Sequence, residues 1–192
     1  MPLPDFSGQS IGRYLFTSPL NSGATSCVYG AVDKEHSKKY AIKCISKSEL
    51  NRKRLLLRTA EVFYHQMVTG CSPHVLPLQE IIDEDSYLFI VFDLCEGDLF
   101  QAIWRSRIYQ RNNALIKETF LDILDGVYAC HMIGVFHRDL KPENILCTEY
   151  GTDIQIADFG LATRKRICRG SRCGTPDYMG PGQLPLVSLW FI

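Results

Sequence analysis

With 21 Lys+Arg against 21 Asp+Glu, the 192-residue chain has no net charge of either sign, and that absence argues against nucleic acid as its main partner. Eight cysteines, at positions 27, 44, 71, 95, 130, 147, 168 and 173, include no Cys-x-x-Cys pair. The closest two, Cys168 and Cys173, have four residues between them and no second pair nearby, which speaks against a zinc site. No secretory apolar segment follows Met1-Pro2-Leu3-Pro4-Asp5, so the cysteines read as reduced thiols of an intracellular protein, cytoplasmic with the nucleus also open. No apolar run approaches bilayer length, and no membrane partner is expected. Internal repeats and low-complexity tracts are missing too. What is present is 46% hydrophobic, enough for one domain or two small lobes with a real core.

The informative stretch is Phe136-His137-Arg138-Asp139-Leu140-Lys141-Pro142-Glu143-Asn144, followed by Asp158-Phe159-Gly160. Asp139 and Asn144 stand five apart with Lys141 between them and Pro142 stiffening the connection. A carboxylate, an amide oxygen and a cation can thus converge from one loop, which is equipment for handling a phosphoryl group. Ile145-Leu146-Cys147 runs into a turn at 149–152, and Ile154-Gln155-Ile156 returns, the pattern of a short β-hairpin. A hairpin sets the residues at its open end side by side, so the oxygens of Asn144 and Asp158 are expected to face a common point and to suit Mg²⁺, which prefers hard donors.

In these two motifs, and in their order, the chain resembles the eukaryotic protein kinases. The resemblance implies an α+β, protein-kinase-like fold with a β-rich first lobe and a partial, mostly helical second lobe. It also implies roles: Asp139 as acceptor of the proton of the attacking hydroxyl, Asn144 and Asp158 as holders of the magnesium ions. Lys141 resembles the serine/threonine form of this loop, where it steadies the γ-phosphate.

Tyr14 to Leu20, Val28 to Asp33 and Lys39 to Ile45 are rich in β-branched or aromatic residues and read as three antiparallel strands. The turn between the first two, with Leu20 before it and Val28 after it, lies where the family folds a glycine-rich loop over ATP phosphates. Its three glycine slots hold Asn21, Gly23 and Ser26. Asn tolerates positive φ, whereas a side chain at Ser26 intrudes where backbone must approach phosphate. Read alone, the loop is an ordinary hairpin turn. Its context is Tyr40-Ala41-Ile42-Lys43, which matches the strand lysine that grips the α- and β-phosphates in the family. That role needs a carboxylate partner, for which Glu61 is the candidate and Glu49 a poorer one. The alternative for Glu61 is a surface carboxylate on a helix between Ser48 and Thr69, whose apolar face is expected to draw on Leu55, Leu56, Leu57, Val62, Phe63, Met67 and Val68.

Val75 to Asp83 and Tyr87 to Asp93 read as two more strands of a five-stranded sheet, with Phe92 in the family's gatekeeper slot. By resemblance, the backbone from Asp93 to Cys95 meets the adenine and Asp98 the ribose. Leu99 to Arg107 suggests a short helix, and Ala114 to Ile133 a long one with apolar residues at 116, 120, 123, 124 and 127 on one face. The wording from Glu61 to Phe100 is similar to fungal kinases of the nutrient and meiosis type.

After Asp158-Phe159-Gly160, a basic stretch over 164–172 and Cys173-Gly174-Thr175-Pro176-Asp177-Tyr178-Met179 resemble the kinase activation segment. Ser171 falls at the usual phosphorylation slot for an upstream kinase, with Arg138 placed to receive the phosphate. The family uses Thr175 to bridge Asp139 and Lys141. Glu143 lies where related kinases read a basic residue, so protein substrates with Arg before the target Ser/Thr are expected.

The resemblance covers residues 12–181: a first lobe over 12–93 and a partial second lobe over 98–181. Gly180-Pro181-Gly182 replaces the family's Ala-Pro-Glu, and the uncharged apolar tail 183–192 does not match it. The expectation is therefore a C-terminally truncated kinase. The burial it would lack is comparable with the stability of an ordinary domain, about 5 to 15 kcal/mol, so the isolated chain is expected to be marginal. The reading is an ATP- and Mg²⁺-dependent serine/threonine protein kinase; the alternative is a non-catalytic nucleotide- or protein-binding fragment that regulates a full-length kinase.

Overall fold

A computed structural model describes residues 4–22, 26–47, 52–148, 151–165 and 173–180, apart from the side chains of 52–58 and 106. The chain forms two compact units: Met1–Thr59 with Pro77–Cys95, and Ala60–Leu76 with Glu96–Ile192.

The first unit is an antiparallel sheet of six strands in the order β1-β2-β3-β4-β6-β5. They are β1 (Ser10–Ile11), β2 (Tyr14–Ser22), β3 (Ser26–Asp33), β4 (Lys39–Ser46), β5 (Leu78–Asp83) and β6 (Tyr87–Asp93). The expected five strands are present, and two-residue β1 is an addition. Pairing of β2 with β3 slips on either side of Pro19, because a proline has no N–H to give the ladder. Strand alternation sorts β4 cleanly. Tyr40, Ile42 and Cys44 are buried in a core with Phe16, Tyr29 and Phe89, whereas Ala41 and Lys43 lie on the opposite face. Phe6, from the segment before β1, closes that core with edge-on contacts to Tyr29, Tyr87 and Phe89 at 5.8, 5.2 and 5.6 Å between ring centroids.

The part of helix α1 (Arg52–Val68) that belongs to the second unit, from Ala60 on, buries Glu61, His65 and Val68, an i, i+4, i+7 stripe. Of the apolar residues expected on its inner face, Val68 and Met67 pack on the core, whereas Phe63 is half exposed at 50%. The strand expected over Val75 to Asp83 begins only at Leu78; Val75 instead bridges Ile156 in the second unit. The helix expected from Leu99 is a single turn, α2 (Leu99–Gln101), that passes into a π-helical turn, Ala102–Ser106, and stops at Arg107 in the left-handed region. Helix α3 (Asn113–Met132) starts where Asn112 accepts the Leu115 amide. A three-stranded sheet, β7 (Gly97–Asp98), β8 (Ile145–Cys147) and β9 (Gln155–Ile156), completes the unit.

The face assigned to α3 from sequence is borne out at Ile123 and Val127 and needs correction at Ile116, Phe120 and Leu124. Leu115, Thr119, Ile123, Val127 and Cys130 face the core, while Ile116, Phe120 and Leu124 are exposed at 47, 58 and 47%. Both stripes have i, i+4 spacing, so apolarity alone could not choose between them. The inner side also carries a buried polar contact, Tyr109 to Thr119 at 3.0 Å.

Candidate active site

Within the second unit, α3 leads through Gly134 and buried Val135 to Phe136, whose amide and carbonyl exchange hydrogen bonds with Thr163 at 2.8 and 2.9 Å. This bridge lays the segment carrying Asp158 beside the one carrying Asp139. His137 is 5% exposed and its Nε2 donates to the Ala157 carbonyl at 2.8 Å. Burial holds its imidazole below its ordinary value, against the pull of that carbonyl. Neutral His137 is therefore a strut between the two segments, not a general base.

Asp139 is the hub. Its Oδ1 accepts from both the amide and the hydroxyl of Thr175, each at 2.8 Å. Lys141 Nζ lies 3.2 Å from its Oδ2 and donates to the Thr175 hydroxyl oxygen at 2.8 Å. Asn144 Nδ2 donates to the Asp139 carbonyl at 2.9 Å and to Oδ2 at 3.2 Å. Burial pushes the Asp139 carboxyl up, but the hydrogen bonds of Thr175 and Lys141, with the Lys141 charge, outweigh it and hold the group below its ordinary value. Asp139 is thus an ionised acceptor in a fixed orientation at neutral pH. Thr175 reaches it only because Gly174 has φ +113 and no side chain; a Cβ there would stand 2.8 Å from the Arg138 carbonyl oxygen.

The expected hairpin is present, with Ile145 opposite Ile156 and Leu146 opposite Gln155. At its open end the Ala157 amide donates to the Asn144 carbonyl at 2.9 Å, which sets Asn144 beside the chain entering Asp158. Because the Asn144 amide nitrogen is committed to Asp139, its side-chain oxygen is the group left to act as an acceptor. Asp158 takes a left-handed backbone, φ 59, and accepts the Gly160 amide at 3.3 Å. Arg138 is also left-handed, at φ 68, and its Nε donates to the Leu161 carbonyl at 2.7 Å. Left-handed non-glycine residues cost of order 1 to 3 kcal/mol and gather at functional sites. An amide oxygen and a carboxylate beside an ionised aspartate are a hard donor set, and these residues fit Mg²⁺.

Glu61 is 4% exposed and stands by the same segment, since a Cβ on Gly160 would lie 3.5 Å from Glu61 Oε2 and 3.1 Å from Asp158 Oδ1. One turn later, His65 stacks on Phe159 at 4.9 Å and donates to the Leu76 carbonyl at 2.7 Å, while His137 flanks Phe159 at 4.8 Å. The sequence pattern passes over His65, because it counts apolar residues; the 61/65/68 spacing is the signal that finds it.

The first unit carries the other expected residues. Val28 is directly opposite Lys43, and Ala41 lies between Gly30 and Phe92, so Val28, Ala41 and Lys43 share one sheet face. Small apolar side chains around a lysine fit a flat heterocycle with phosphates. Leu20 is exposed on β2, Asp93 ends β6 and its carboxylate accepts from Gln79 at 3.0 Å, and Cys95 is half-buried. Asp98, in the second unit, caps α2, with its two oxygens accepting the Gln101 amide and Nε2 at 2.8 Å each. Gly23, Glu49, Ser171 and the tail 183–192 lie outside the described residues.

The chain belongs to the protein kinase domain family, whose model matches residues 14–186. Among curated relatives it is 37% identical over 176 residues to the negative regulator of sexual conjugation and meiosis of Schizosaccharomyces pombe, covering 91% of this chain and 37% of that protein. It is 34% identical over 186 residues to the serine/threonine-protein kinase ksp1 of the same organism, covering 88% and 37% of the two chains. Myosin light chain kinase A of Dictyostelium discoideum is 35% identical over 175 residues, covering 88% and 57%. The similarity to fungal kinases of the meiosis type is thereby substantiated. This chain spans 37 to 57% of the length of these relatives.

Proposed function

We propose that this chain transfers the γ-phosphoryl group of ATP to Ser or Thr hydroxyls of protein substrates. The observation that carries the reading is the hydrogen-bonded set Asp139, Thr175, Lys141 and Asn144, a fixed carboxylate with a cation beside it. In this reading Asp139 orients the substrate hydroxyl and accepts its proton as the new oxygen–phosphorus bond forms and the bond from the γ-phosphorus to the β,γ-bridging oxygen breaks, with ADP leaving. Lys141 offers positive charge to the transferring phosphoryl oxygens. Asn144 and Asp158 hold Mg²⁺, which when bound neutralises phosphate charge. Lys43 binds the α- and β-phosphates and pairs with Glu61; Leu20, Gly23, Val28, Ala41 and the backbone from Asp93 to Cys95 cradle the nucleoside, with Asp98 at the ribose.

Substrates with Arg before the acceptor are proposed from Glu143, and an upstream kinase acting on Ser171 from the basic stretch over 164–172. An intracellular, chiefly cytoplasmic location, with the nucleus also open, is proposed from cysteines scattered along the sequence without a Cys-x-x-Cys pair. The test is phosphotransfer from labelled ATP to a mixed Ser/Thr/Tyr peptide library, with Asp139→Asn as control. Label on Ser and Thr that the control lacks supports the reading, and no label from the wild-type chain refutes it. A second reading, nucleotide binding without transfer, is favoured by Asn21 and Ser26 in place of glycines. Nucleotide binding with no transfer would select it.

A further inference from the structure

A buried phenol reaches the turn of the β8–β9 hairpin from outside it. Tyr109 is 9% exposed; its hydroxyl donates to the Gly151 carbonyl at 2.7 Å and shares a hydrogen bond with Thr119 of α3 at 3.0 Å. The turn closes on itself through Gly151 N to the Thr148 carbonyl at 2.9 Å and Thr148 N to the Thr152 carbonyl at 3.0 Å. Gly151 is moulded to the phenol: at φ +70, an added Cβ would lie 3.0 Å from the Tyr109 oxygen and 2.5 Å from Ile108 Cδ1. Asn144 and Asp158 each stand seven residues from Gly151, one on either side. Tyr109 also holds the start of α3, since its carbonyl accepts the amide of the capping residue Asn112 at 3.2 Å.

We propose that Tyr109 is a positioning residue for the metal-binding pair, fixing the hairpin to α3 so that the oxygens of Asn144 and Asp158 stay in register. The inference rests on the reading of that pair as Mg²⁺ ligands. The hairpin's own ladder has two register pairs, Ile145 with Ile156 and Leu146 with Gln155, and so short a ladder is marginal by itself; β7 supports it along β8 and the 74–76 backbone along β9. Those contacts hold its strands, whereas the Tyr109 hydroxyl ties its closed end to α3, the same element that delivers Asp139. Burial pushes the Tyr109 phenol above its ordinary value of 10.0, so the hydroxyl remains a donor across the working pH range.

The test uses Mn²⁺ as the probe, followed by electron paramagnetic resonance with the β,γ-imido analogue of ATP on the full 192-residue chain. Tyr109→Phe keeps the ring and removes the hydroxyl. It is expected to weaken Mn²⁺ binding about three- to tenfold at unchanged circular dichroism, less than the about 10- to 100-fold typical of groups that touch a metal ligand. Thr119→Val, which keeps the bond to Gly151, is expected to stay within about twofold of wild type. Tyr109→Phe binding within that same margin overturns the inference. Wild-type chain that binds no Mn²⁺ overturns the metal reading itself and the inference with it.

Hydrogen exchange on the wild-type chain gives a second test that requires no variant. Coupling between sites is reciprocal, so Mg²⁺ with the same nucleotide analogue is expected to slow exchange of the Gly151 and Thr148 amides. Unchanged exchange at the turn, with protection at Asp158 to Gly160, contradicts the coupling while leaving the metal site standing.

Discussion

Thr175 gives Asp139 two hydrogen bonds to one oxygen, from its amide and its hydroxyl, each at 2.8 Å. The activation segment is thus fastened to the proposed general base itself. Since the hydroxyl also accepts from Lys141, one side chain orders both a negative and a positive group.

Thr175→Val removes the hydroxyl from this junction and keeps the amide. The Thr175 hydrogen bonds help to lower the Asp139 carboxyl, so the variant's Asp139 titrates higher and the acidic limb of its rate profile moves to higher pH. Turnover is expected to fall about 10- to 100-fold, with Thr175→Ser close to wild type. A pH–rate series on the three proteins checks this.

Gly174→Ala places a Cβ 2.8 Å from the Arg138 carbonyl oxygen at φ +113. The 173–180 segment should detach from the catalytic loop, with a strain of about 1 to 3 kcal/mol if it does not. The expected outcome is loss of peptide phosphorylation with nucleotide binding kept, measured by transfer assays and calorimetry.

His137 predicts a pH dependence of stability. Its folded value lies below its ordinary 6.5, so as pH falls through about 6.5 the unfolded chain takes up a proton that the folded one refuses. Stability falls with acidification from there down to the folded value, by at most about 1.4 kcal/mol per pH unit. Denaturant titrations at pH 7 and 5 should show a smaller loss for His137→Phe than for wild type.

Ile156 is 1% exposed in the second core, where it also bridges Val75 and pairs with Ile145. Ile156→Ala is expected to destabilise the unit by about 2 to 5 kcal/mol, read as a lower denaturant midpoint.

The catalytic stretch 136–144 and Asp158-Phe159-Gly160 were legible because their chemistry depends on fixed spacing, and the hairpin between them because its strands and turn have distinct residue types. The strands of the first unit were legible from β-branched and aromatic runs. The buried face of α3 was legible only in part: Ile123 and Val127 lie on the core as expected, but Leu115 and Thr119 take the places expected for Ile116 and Phe120. Thr119, buried in the middle of the inner stripe, carries no hydropathy signal. Phe6 and His65 were hidden for related reasons: one is a lone aromatic outside any strand, the other a polar residue inside a core.

The most direct measurement of the central claim is thermal unfolding of the chain with and without Mg-ATP, beside Asp158→Ala. At a ligand concentration about 100 times the dissociation constant, binding stabilises by about 2.7 kcal/mol, a rise of about 5 to 11 °C for a chain of this size. The account predicts that rise for the wild type, its loss on chelation of Mg²⁺, and no comparable rise for Asp158→Ala. Equal shifts in both proteins, or none in either, would contradict a metal-nucleotide site at Asn144 and Asp158.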